Sequence, residues 1–157
     1  MAHWIPDPLS GLPRRPFKST AEIDDECEAI LRRYLALPPT VAIPLPLSTD
    51  LLTGLIEAEA ERLDLFADLG RDVEGCTDIS AHQRPWVRIN RRLSVVPQLT
   101  YRLRYTLAHE YYHLRFHAPF YQDHLTNGGL LSLAPAWPDP SPDSSQPGLP
   151  WGRVDWR

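Results

Sequence analysis

Three residues near the middle of the chain have the types and spacing for hydrolytic chemistry. His109, Glu110 and His113 stand in the order H-E-x-x-H within residues 101–117, Y-R-L-R-Y-T-L-A-H-E-Y-Y-H-L-R-F-H. On an α-helix, four residues of separation turn the chain about 40° beyond one full circle. Two imidazoles then project from one face, a turn apart, and can converge on one metal ion. A carboxylate beside the first of them reaches the attacking water without being a ligand. This is the local layout of a zinc-dependent hydrolase. The competing reading is a pair of core histidines satisfied by neighbours such as Tyr105 or Tyr112.

The chemistry needs a helix, and the periodicity predicts one. At about 100° per residue, Leu103, Leu107, Tyr111, Leu114 and Ala118 form one apolar side. Tyr101, Tyr105, Tyr112 and Phe116 form a second, aromatic side, with His109 and His113 between the two. Only a strip around Arg104, Ala108 and Arg115 is left for solvent. A buried helix is therefore expected, opening its histidines into an interior cleft. No glycine or proline interrupts it before Pro119.

The chain has 157 residues and a formal charge of −4, with Lys18 its only lysine. That length suits one domain with a modest core. No long basic run points to nucleic acid, and no stretch approaches the roughly 20 apolar residues of a membrane span. The start of the chain lacks the basic-then-apolar pattern of a secretory signal, and Cys27 and Cys76 fit no C-x-x-C pair. A cytoplasmic location is the resulting expectation. Cys27 is expected as a buried thiol on a helix.

Most of the 17 prolines cluster at the two ends and around residues 38–46, where they mark boundaries. Three regions follow: an irregular Pro-rich arm over 1–18, a domain over 19–133, and a Pro-rich tail over 134–157. Ser19 and Glu22 have capping-box spacing, and apolar residues from Ile23 to Leu35 repeat at helical intervals, so a first helix is expected to about residue 37. Residues 40–47 read as a short edge strand. Ser48 to Asp50 offer caps for a second helix, expected to run on to residues 65–70. Glu59 falls among its apolar positions, as a packing-margin carboxylate paired with an arginine. Residues 76–79 and 86–90, the second alternating clearly, suggest an antiparallel hairpin. Residues 118–124 read as a turn after the central helix.

With R-L-R-Y-T-L-A-H-E-Y-Y-H in view, the chain resembles the ImmA/IrrE family of metallo-endopeptidases, whose helix carries R-x-R-F-T-L-A-H-E-x-G-H. The likeness covers roughly residues 45–117, including Val87-Arg-Ile-Asn90 as the family's strand and Asp72-Val-Glu-Gly75-Cys-Thr77 as its preceding loop. It implies a small α+β, zincin-like domain, with helices packed on a short antiparallel sheet around a central buried helix. It further implies a zinc-dependent endopeptidase with His109 and His113 as Zn2+ ligands and Glu110 as general base. The implied partner is a specific protein substrate, a helix-turn-helix repressor among the candidates, in stress response or mobile-element control. Tyr112 stands where the family has glycine.

Zinc in a hydrolase takes three protein ligands and water. The family's third is a later glutamate, and no glutamate follows Glu110 in this chain. His117 would lie about 12 Å along a straight helix from His109, too far to share its ion. Asp123 and His124, past Pro119, are the nearest candidates; the tail aspartates, Glu59, another chain or an incomplete site are the alternatives. Tyr105, Tyr112 or His124 is expected to steady the oxyanion, and the edge of residues 86–90 to pair with an extended substrate. The second functional reading is a non-catalytic interaction module that keeps the fold without the third ligand.

Overall fold

The computed structural model describes residues 3–6 and 14–127, with side chains from Lys18 onward other than those of His124 and Asn127. The expected tail over 134–157, and the apolar run at 130–133 before it, lie outside the described residues. The N-terminal region carries two short strands, β1 (His3–Pro6) and β2 (Arg14–Phe17), paired antiparallel. Sequence patterning alone predicts only an irregular arm there.

Helix α1 (Thr20–Tyr34) starts at the expected capping box. The Ser19 N–H donates to Glu22 Oε2 at 2.8 Å, and the Glu22 N–H to Ser19 Oγ at 3.3 Å. The helix ends at Tyr34 with Leu35 as its cap, and the φ of 52° at Ala36 turns the chain away two residues before Pro38. Cys27 on it is half-buried, less than expected, and burial pushes its thiol pKa up. Residues 40–47 form no strand, contrary to expectation; with Pro44 and Pro46 they lack two of the ladder donors a strand needs.

Helix α2 (Thr49–Glu59) is capped by Ser48, whose Oγ accepts from the Leu51 N–H at 3.1 Å. It stops at Glu59, short of the expected 65–70. Arg84 ends it, donating to the carbonyls of Ala58 and Glu59 at 2.7 and 3.0 Å. Residues read as helix are strand β3 (Arg62–Ala67), because Leu63, Leu65 and Ala67 also satisfy a period of two. A parallel partner, invisible in local sequence, decides between the two readings.

That partner is β5 (Trp86–Asn90), which also pairs antiparallel with β4 (Gly75–Asp78) as the hairpin reading expects. The order β3-β5-β4 makes a mixed sheet, where a purely antiparallel one is expected. It also puts β5 in the centre with both edges paired, so β5 cannot offer an edge to a substrate. The unpaired edge near the helix that carries His109 belongs to β4, among the described residues.

After α3 (Arg91–Val95) and a single 3-10 turn at Pro97–Leu99 comes α4 (Thr100–Tyr112). Its Leu side packs onto α2, β4 and β5, and the centre of the core is Ile56, Val87, Ile89, Leu93 and Leu107, each at most 1% exposed. Truncating a side chain such as Leu107 to alanine would cost about 2–5 kcal/mol. The aromatic side is not buried as expected: Tyr101 and Tyr105 are 75% and 65% exposed. The helix is covered on one side and open on the other along its first half.

Pro119 does not end the helical path. A wide turn at His113–His117 has the Ala118 N–H reaching back five residues to the His113 carbonyl. Residues expected as a turn then form α5 (Ala118–Asn127). Pro119 is the second residue of α5. The fold is α+β, and no helix among the described residues is long and apolar enough to cross a membrane.

Candidate metal centre

His109 and Glu110 lie on α4, and His113 follows at its C-terminal boundary, where the wide turn begins. The His109 and His113 Nε2 atoms are 3.0 Å apart, with ring planes 79° from parallel. Tetrahedral zinc with Zn–N bonds of about 2.0–2.1 Å separates two nitrogens by about 3.3 Å. The pair therefore fits two corners of a zinc site. His109 is half-buried, and burial holds its pKa below the ordinary imidazole value, favouring the neutral, metal-binding form at pH 7. Tyr105 stacks on its ring at 6.3 Å.

His113 is 4% exposed, and its other ring nitrogen is also engaged. Nδ1 lies 2.7 Å from Nδ1 of His117, itself 4% exposed. A neutral His113 that donates from Nδ1 to His117 keeps the lone pair of Nε2 for a metal. His117 thus meets the His113 ring at Nδ1, and His109 meets it at Nε2. Tyr112 and Tyr121 pack edge-on against His117, at 5.0 and 5.9 Å.

Glu110 is 1% exposed, and its Oε2 accepts from the Thr77 hydroxyl at 2.7 Å. Burial pushes its carboxyl up to about 7; the Thr77 hydrogen bond works against this, and the Asp78 carboxylate adds to it. Strand β4 comes this close because residue 75 has no side chain. A Cβ there would stand 2.7 Å from Glu110 Oε1 and 2.8 Å from Thr106 Cγ2. Glu110, His109, Gly75 and Tyr105 contribute to the wall of a cleft of about 660 Å³.

Among the described residues no group of three His, Cys, Asp or Glu side chains converges on one point. Asp123 is exposed on α5, and the His124 side chain lies outside the described residues. Glu59 is where the packing reading puts it, accepting from the Tyr111 hydroxyl at 2.9 Å with Arg115 Nη1 3.8 Å away. Of the two tyrosines expected as oxyanion donors, Tyr105 lines the cleft, while Tyr112 packs against His113 and Phe116. Thr77 and Gly75 are the residues sequence reasoning missed as parts of the site. A glycine inside a strand segment is the available signal, since it marks close approach of the backbone to something else. The chain matches none of the family models, curated proteins or solved structures with which it was compared.

Proposed function

We propose that the chain is a zinc-dependent endopeptidase of zincin-like architecture, with His109 and His113 holding the metal and Glu110 as general base. The observation that carries this reading is the pair of Nε2 atoms 3.0 Å apart on a helix whose neighbouring carboxyl is buried and poised at about 7. Zinc bound there supplies the Lewis acidity that makes water a nucleophile near neutral pH. Everything else is work for the protein's own residues. Glu110 takes the proton as water attacks a peptide carbonyl, then gives it to the departing amine; a pKa near the working pH serves both transfers. Tyr105, in the cleft wall, donates its hydroxyl to the developing oxyanion. His117 holds the His113 ring in orientation. The open edge of β4 pairs with an extended substrate, in place of the expected edge of β5. The third protein ligand in this reading comes from Asp123, His124 or a donor beyond the described residues. The substrate is a specific cytoplasmic protein, a helix-turn-helix regulator being the class the resemblance implies.

The test is a cleavage assay on a proteome-derived peptide library with zinc-loaded protein, reading new N-termini by mass spectrometry. New termini with wild type that vanish with Glu110→Gln support the assignment. Identical profiles for the two proteins overturn it and leave a non-catalytic interaction module.

A further inference from the structure

The cleft beside Glu110 has an uneven set of exposed, unpaired charges. Its wall carries three guanidiniums, of Arg71, Arg92 and Arg102. Above the buried Glu110 it carries two carboxylates, of Asp72 and Glu74. Arg102 and Glu74 answer each other in an ion pair, and the Thr106 hydroxyl also donates to Glu74 at 3.3 Å. Glu110 is held from within by Thr77. Arg71 and Arg92 are exposed and take part in no ion pair among the described residues, leaving Asp72 as the only other carboxylate in the wall. With the Arg102–Glu74 pair and the buried Glu110 set aside, the open charges at the mouth of the candidate site are two cations and one anion, on a chain of formal charge −4.

From this we infer that the cleft selects acidic peptide segments, with Arg71 and Arg92 pairing with Asp or Glu side chains of the substrate. The inference rests on the peptidase reading for its consequence, though not for the binding itself. A guanidinium presents a planar fork that matches a carboxylate through two parallel hydrogen bonds. At the edge of a cleft such a pair is better sheltered from solvent than on an open surface. The exposed ring of Tyr105 beside it gives the intervening peptide an apolar face to lie on. A volume of about 660 Å³ accommodates a few residues of extended chain. Two open cations in a cleft suit a peptide carboxylate better than nucleic acid, whose binding draws on a long row of phosphate contacts.

The experiment measures binding by fluorescence anisotropy, using zinc-loaded Glu110→Gln protein so that no probe is consumed. The probes are a labelled octapeptide alternating Leu and Glu, its Leu/Gln and Leu/Lys counterparts, and a labelled single-stranded oligonucleotide. The Glu peptide is expected to bind about tenfold tighter than the Gln peptide, and the double change Arg71→Glu with Arg92→Glu to abolish that preference and favour the Lys peptide. Both arginines are exposed, so the reversal leaves the core untouched. Equal affinity for Glu and Gln peptides, no binding of the Glu peptide, no effect of the double reversal, or tighter binding of the oligonucleotide overturns the inference. Failure of the peptidase reading is registered separately, as absence of Glu110-dependent cleavage, and leaves the binding result standing.

Discussion

The Thr77 hydroxyl donates to Glu110 Oε2 at 2.7 Å, tying edge strand β4 to α4. The bond does two things. It fixes the carboxylate's orientation, and it stabilises the ionised form against the cost of burial, which still wins. Thr77→Val is therefore expected to raise the Glu110 pKa further. The acidic limb of any cleavage pH profile should move to higher pH, and stability should fall by about 1–3 kcal/mol for a buried polar group left unpaired. A kinetic pH profile alongside urea denaturation reads both effects.

The same carboxyl makes the metal-free protein's stability depend on pH. Its folded pKa of about 7 lies above the ordinary 4.5, so between those values the folded state binds more protons than the unfolded one. Stability from this group is fully present below pH 4.5 and is lost as pH rises toward 7, by roughly 3 kcal/mol. Glu110→Gln cannot ionise and should flatten this part of the curve, making the variant more stable than wild type at pH 8. Urea midpoints of the two proteins across pH 4–8, in chelator, check the sign.

Strong local signals made part of this architecture legible. The capping box at Ser19 and Glu22, the Leu stripe of α4, and the alternation in β5 each found its predicted element. The His109–Glu110–His113 spacing led to the candidate site, which the structure brings together as a pair of imidazoles and a buried carboxyl. What local sequence could not supply depends on distant partners. Arg62–Ala67 supports helix and strand alike until β5 lies beside it. The path through Pro119 depends on a wide turn whose hydrogen bond spans five residues. Thr77 matters because β4 crosses Glu110, which no feature of residues 75–78 announces beyond the glycine.

That glycine carries its own expectation. Gly75→Ala puts a methyl group 2.7 Å from Glu110 Oε1 and 2.8 Å from Thr106 Cγ2, so a buried neighbour must move. The cost should be about 1–3 kcal/mol, typical of overpacking. Cleavage should fall by a larger factor than stability alone explains, because the base itself is displaced. Thermal unfolding compared with turnover at a temperature where both proteins are folded separates the two.

His117 offers a finer probe. Its Nδ1 meets His113 Nδ1 at 2.7 Å. His117→Asn keeps a hydrogen-bond acceptor near that position, and His117→Phe keeps the bulk without it. Zinc affinity should drop about 10–100-fold in the Phe variant and much less in the Asn variant. Competition with a chromophoric chelator measures both. Equal losses in the two would mean that ring packing, and not the hydrogen bond, is what matters.

The central claim is that His109 and His113 share one divalent ion, and metal stoichiometry tests it most directly. Protein stripped with chelator, supplied with zinc and desalted should retain about one zinc per chain by elemental analysis. His109→Ala and His113→Ala should retain almost none while keeping the wild-type circular dichroism spectrum. Wild-type protein that returns metal-free, or alanine variants that hold zinc as well as wild type does, would contradict the account.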